Sequence, residues 1–223
     1  MQGRSQGQCG KTFKKSTGTG TQILSGMDRK TGASNPFYVI IKPMSADLIK
    51  IDHIDRIPES YLGTPIAELL AYHNLGKTYQ QYLQAQLLIG MCMDNRKHLS
   101  IPDNFAYIIR SGGANLRYSE FRVSYAIAVG NVRHLVLIGH NNCGMVNLMA
   151  RKDLFIQGLI TNAGWTREEA EDHFYHYEPI HEIGNEKHFI LSETKRLRLR
   201  YPNVIIAPML YLVEDNLLYL IEE

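Results

Sequence analysis

The chain has 223 residues, 24 Lys plus Arg against 22 Asp plus Glu, a formal charge of +2 and 44% apolar residues. That is ample apolar material for a core without disulfide staples, and too little net charge to call for a nucleic-acid or membrane partner. Three cysteines make no disulfide framework; they favour metal ligation in a reducing, cytoplasmic setting over secretion. No apolar run reaches the roughly 18 to 20 residues that a bilayer span needs.

Residues 1–35 are rich in Gly, Ser, Thr, Gln and Lys and read as a flexible tail. The absence of acids before Asp28 makes an organelle transit segment the alternative. Residues 36–85 read as an N-terminal arm and helices. Residues 37–41 suit a short strand or arm, ended by Pro43, and 47–57 is weakly helical. Thr64-Pro65 resembles an N-cap with proline in the first turn, and Ile66, Leu69, Leu70, His73 and Leu75 trace one helical face up to Gly76. A second short helix is expected over 77–84.

Residues 86–223 alternate strand and helix. Strands are expected at 86–91, 106–110, 134–139 and 204–209. A helix at 119–129 places Phe121, Tyr125 and Ala128 on one side. Another begins at Gly144 and runs through Leu148 and Met149. A long polar stretch rich in Tyr and His follows, in which Thr166-Arg167-Glu168-Glu169 looks like a helix start. A helix over 186–199 stops before Pro202, and 217–221 returns as an antiparallel edge strand through Glu214-Asp215-Asn216. The fold class is α/β: a mainly parallel central sheet of four strands plus an antiparallel edge strand, with helices on both faces.

Two of these strands end in chemistry. The first runs into Cys92, Asp94 and Arg96, spaced two apart, so that continued strand geometry would point them to one side. The third runs into His140 and Cys143, flanked by Gly139 and Gly144, which leave room for backbone to approach an ion. Ligands collect beyond the carboxyl ends of parallel strands, and Cys92, His140 and Cys143 would meet there as a zinc site with its fourth position free. A water in that position would ionise more readily than in bulk and act as a hydroxide nucleophile. Asp94 could orient that water, or take the fourth position itself; Arg96, forked onto the carboxylate, would hold it ionised and off the metal.

These residues closely resemble the zinc site of the β-class carbonic anhydrases, over a region from about Ile66 to the C terminus. The resemblance implies Zn²⁺ on Cys92, His140 and Cys143, and Asp94 with Arg96 as the catalytic dyad. It further implies a homodimer or higher homo-oligomer, and reversible hydration of carbon dioxide to bicarbonate and a proton. The connection after Arg96 is short, and Ser111 stands where the family usually has asparagine. A branch of the same fold hydrolyses carbon disulfide or carbonyl sulfide with the same ligands, which keeps that activity as an alternative. A non-catalytic zinc-stabilised scaffold is the alternative of another class.

The remaining features read more plainly. His98 is a candidate proton relay or a solvated loop histidine. His173, His176 and His181 read as a surface or subunit-contact cluster rather than a second metal site. The stretch from Ser111 to Asn115 lacks a phosphate-loop order and reads as a backbone bend under the site. Lys195 to Arg200 suit the solvated side of a helix, with Leu197 and Leu199 partly inward.

Overall fold

The computed structural model describes residues 47–223. Six strands form one sheet: β1 (Leu48–Lys50), β2 (Leu87–Cys92), β3 (Ala106–Ser111), β4 (His134–His140), β5 (Ile205–Leu212) and β6 (Leu217–Ile221), in the order β1-β6-β5-β4-β2-β3. The four from β2 to β5 are parallel, as expected; β6 is antiparallel to β5, and β1 to β6. β2 is buried along its whole length, and β4 from Leu135 onward, which is why both read as unbroken apolar runs.

Alternation along the strands divides the core into two layers. On one face, Leu87, Ile89, Met91, Val136, Ile138 and Met209 pack with Ile66, Leu69 and Leu70 of α1 (Pro65–Leu75). On the other, Leu88, Leu135, Leu137 and Ile206 meet α2 (Glu120–Ala128) through Val123 and Ala126, and α5 (Glu186–Arg200) through Ile190 and Leu197. Between β4 and α5 stand α3 (Lys152–Ala163) and α4 (Arg167–His181), which close on Ile156, Ala170 and Phe174. Among the described residues no helix is long and apolar enough to cross a membrane.

The caps are where the sequence placed them. Thr64 accepts from the Ile66 amide and Gly76 takes a left-handed turn at φ 65°, so α1 is bounded at both ends. Thr166 and Glu169 form a reciprocal capping box on α4.

Several expectations fail. Residues 47–57 are helical only in a 3-10 turn at Ile54–Arg56: Leu48–Lys50 pairs with β6, so the returning strand is interior and β1 is the edge. Residues 77–84 form no helix. The left-handed Gly76 redirects the chain, and Tyr82 is held against Tyr72, their hydroxyls 2.8 Å apart. The helix after Gly144 is delayed, since Asn147 sits at φ 56° and is followed by a 3-10 turn at Leu148–Arg151 before α3 begins. Phe121, Tyr125 and Ala128 do share one side of α2, but it is the outward one, and Val123 and Ala126 are the buried side. Leu197 is fully buried but Leu199 is 79% exposed. The tail at 1–35 and the strand expected at 37–41 lie outside the described residues.

Candidate metal centre

In register, Met91 lies beside Ile138 and Ile138 beside Met209, so the parallel strands deliver their carboxyl ends to one rim. Cys92 closes β2 and His140 closes β4. Cys143 follows three residues later, past Asn142 at φ 54°, a left-handed residue that turns the chain back. All three are buried, and one ligand atom from each lies within 4.8 Å of the others. The two sulfurs are 3.9 Å apart and the cysteines are free thiols. Tetrahedral zinc with Zn–S near 2.3 Å needs sulfurs about 3.8 Å apart, so the spacing suits that ion.

The titratable atoms also suit a cation. His140 Nδ1 is 2.8 Å from the Asn141 carbonyl, which can only accept, so Nδ1 carries the proton. The lone pair is then on Nε2, which is buried and has no hydrogen-bond partner. The Cys143 thiol donates to Cys92, which pulls Cys92 down and, together with burial, pushes Cys143 up. The Gly113 amide also donates to Cys92 Sγ at 3.3 Å. This is the backbone bend under the site: Gly113 has φ +62°, and a Cβ there would lie 2.7 Å from Ile183 Cγ2. Gly139 has a different job from the one expected, because a Cβ would meet Ile190 of α5 at 2.7 Å. It admits a helix rather than an ion.

Asp94 and Arg96 reach the cluster by a turn and not by continued strand, since β2 stops at Cys92. Arg96 Nε and Nη2 donate to Asp94 Oδ1 at 3.0 Å and Oδ2 at 2.6 Å, and the Arg96 amide adds 2.9 Å to Oδ1. That fork holds the Asp94 carboxyl well below the usual carboxylate range. Arg96 Nη2 also donates to the Asn142 carbonyl at 3.0 Å, tying the two strand ends together. Asp94 Oδ2 stands 3.9 Å from His140 Nε2, at the border of the ligand set.

One residue here was missed by sequence reasoning. Lys97 is fully buried, and its Nζ lies 3.4 Å from Asp94 Oδ1. Burial pushes the ammonium down, against the pull of Cys92 and Asp94. Nothing in a basic residue placed in a polar loop signals such burial. Glu186, whose carboxylate accepts from the Cys143 amide at 3.3 Å, was also passed over. His98 is exposed. His173 and His181 line an apolar cavity of about 360 Å³ with Met145, Leu148, Phe155 and Tyr177; His173 stacks on Phe155 at an interplanar angle of 7°. Among the described residues, Cys92, His140 and Cys143 are the only group of His, Cys and acids close enough to hold a metal ion.

Residues 104–204 match the family model for carbonic anhydrase. Among solved structures, the chain is similar to β-carbonic anhydrase isoform I of Trichomonas vaginalis, with 18% identity, 66% of this chain and 90% of that one covered, and a TM-score of 0.52. Over residues 104–204 the chain matches the carbonic anhydrase family, and its fold is the β-class one. A carbonic anhydrase of Streptococcus mutans (18% identity, 74% and 100% covered, TM-score 0.49) and a carbon disulfide hydrolase (21%, 60% and 77%, 0.45) are also similar. No curated protein matches by sequence. The family match includes His140 and Cys143 but begins after Cys92, Asp94 and Arg96, whose place in the site rests on the distances above.

Proposed function

We propose that this chain is a zinc-dependent carbonic anhydrase that hydrates carbon dioxide reversibly to bicarbonate and a proton. The observation that carries this is the buried Cys92–His140–Cys143 group, with an unpartnered Nε2, beside a carboxylate already engaged by Arg96. Zn²⁺ would be held by those three residues. When bound, the ion supplies the Lewis acidity that turns water into a nucleophile near neutral pH.

The chain's own groups do the rest. Asp94, kept ionised by Arg96, accepts a hydrogen bond and so fixes the direction in which a water presents its lone pair. Because Arg96 also grips the Asn142 carbonyl, the carboxylate keeps its distance from His140. Met145 and Val146, packed against the two cysteines, give the pocket an apolar wall suited to a small linear substrate without charge. The acidic partner at Cys143, Glu186, holds the loop that carries the second sulfur.

The direct test is stopped-flow carbon dioxide hydration on zinc-loaded protein. Cys92→Ser and His140→Gln should abolish both zinc retention and turnover. Asp94→Asn should retain zinc and lose about 10²-fold or more in kcat/KM, the usual scale for a positioned acid–base group. Full activity in any of the three defeats the assignment. Sulfide release from carbon disulfide without carbon dioxide turnover would move the substrate, not the site; zinc retention with neither activity would favour a scaffold. We also propose a homodimer in the cytoplasm. Exposed Phe121 and Tyr125 on α2, and Tyr107 and Ile108 on the edge strand β3, favour the dimer, and free buried thiols favour the compartment. A sedimentation coefficient of a monomer at micromolar protein would refute the dimer.

A further inference from the structure

Arg96 is a surface cation: its side chain is 45% exposed, so water and salt screen its hold on Asp94. Lys97 is not. Its side chain is wholly enclosed, and its Nζ, 3.4 Å from Asp94 Oδ1, makes no hydrogen bond. Its backbone is fixed from below, the Lys97 carbonyl accepting from Arg110 Nη2 at 3.2 Å. An ammonium in that position is tolerated only if negative charge stands beside it, and Asp94, with Cys92, supplies that charge.

The two oxygens of Asp94 have different neighbours. Oδ2 faces His140 Nε2 at 3.9 Å, while Oδ1 is the oxygen near Lys97. We infer that Lys97 is a positioning residue: an internal cation that draws the Asp94 carboxylate away from the metal and keeps the fourth position open to water or a small monoanion. This rests on reading Cys92, His140 and Cys143 as a zinc site. The formal charges of a divalent ion, two thiolates, Asp94 and Arg96 cancel. Lys97 therefore leaves the loaded centre with one positive charge, which favours entry of an anion. Inside the protein that charge acts with little screening, which Arg96 at the surface cannot match.

Lys97→Met keeps the length and apolar stem and removes only the charge. The experiment uses the full chain at one fixed pH. Zinc affinity is read by chelator competition, and thiocyanate affinity from the visible spectrum of the cobalt-substituted protein. The charge role predicts opposite signs: thiocyanate binding at least 10-fold weaker, because Asp94 swings onto the ion and the positive charge is gone, and zinc binding tighter, because a like charge has been removed. Lys97→Arg should keep thiocyanate affinity near that of the parent. Thiocyanate affinity unchanged in Lys97→Met overturns the inference. So does a parallel loss of zinc and thiocyanate, which marks Lys97 as packing alone. If circular dichroism shows that the Met variant does not fold, Lys97→Gln is read by the same two signs. Failure of the parent chain to take up zinc overturns this inference and the metal-site reading together, whereas zinc uptake with unchanged anion binding overturns this one only.

Discussion

Gly113 carries two burdens at once. Its φ of +62° lies in the left-handed region, and the space where a side chain would begin is filled by Ile183. Gly113→Ala should lower stability by about 1–3 kcal/mol through backbone strain alone, visible as a lower urea midpoint. It should also slow zinc uptake, because the Gly113 amide is the donor that steadies Cys92 Sγ. A variant as stable as the parent would show that the bend can relax. At Asp94 the relevant variable is pH. A folded-state pKa depressed by the Arg96 fork contributes stability that is complete above the unfolded value of about 4 and is lost as pH falls through the folded value. The stability gap between metal-free parent and Asp94→Asn should accordingly stay constant from pH 5 to 7 and close in acid below pH 4. A gap that narrows on raising the pH from 5 to 7 would contradict the sign of that linkage.

One carboxylate and a set of apolar side chains join the α3–α4 hairpin to the metal loop. Glu182, just past α4, accepts from the amides of Asn147 at 3.1 Å, Leu148 at 2.6 Å and Gly184 at 2.7 Å. Ile183 adds its own amide to the Met145 carbonyl. Burial pushes the Glu182 carboxyl up, but these amides outweigh it and hold it down. Glu182→Ala would leave three backbone donors without their acceptor, which should cost about 2–3 kcal/mol. Amide hydrogen exchange should then quicken at Leu148 and through α3, and not in β2 or β4. Uniform exchange across the whole chain would mean that the hairpin is no separate unit.

The same elements show what a sequence can disclose. Thr64-Pro65 with Gly76, Thr166 with Glu169, and the apolar runs of β2 and β4 are local signals, complete within a few residues, and each is found where it was read. β1 is three residues long and is a strand only because β6 offers it hydrogen bonds from far along the chain. The segment 77–84 is settled by rings of Tyr72 and Phe105 that no helical period encodes. The ligand types and their spacing at the strand ends were legible; the burial of Lys97 beside them depends on how the loop folds back, and was not.

At the scale of the molecule, the far side of the sheet is closed by one amide side chain. Asn74, at the end of α1, donates from Nδ2 to the carbonyls of Ile51 at 3.0 Å and Leu218 at 2.8 Å, and its Oδ1 accepts from the Leu218 amide at 3.0 Å. It therefore joins α1, the residue after β1 and the start of β6, with Leu218 lying 144 positions from Asn74 in sequence. The Glu222 amide adds a bond to the Asp47 carbonyl, and Arg198 on α5 grips Glu223 and the Ile206 carbonyl. Asn74→Ala removes the partner of two carbonyls and one amide together. Unsatisfied groups of this kind cost about 1–3 kcal/mol each, less where water reaches them, so a total loss of about 3 kcal/mol is expected from urea unfolding. The ligands stand at the ends of β2 and β4, strands that Asn74 does not bond, so zinc stoichiometry in the folded variant should equal that of the parent. Loss of zinc at concentrations of urea where the variant is still folded would show that closure of the sheet and assembly of the metal centre are one event rather than two.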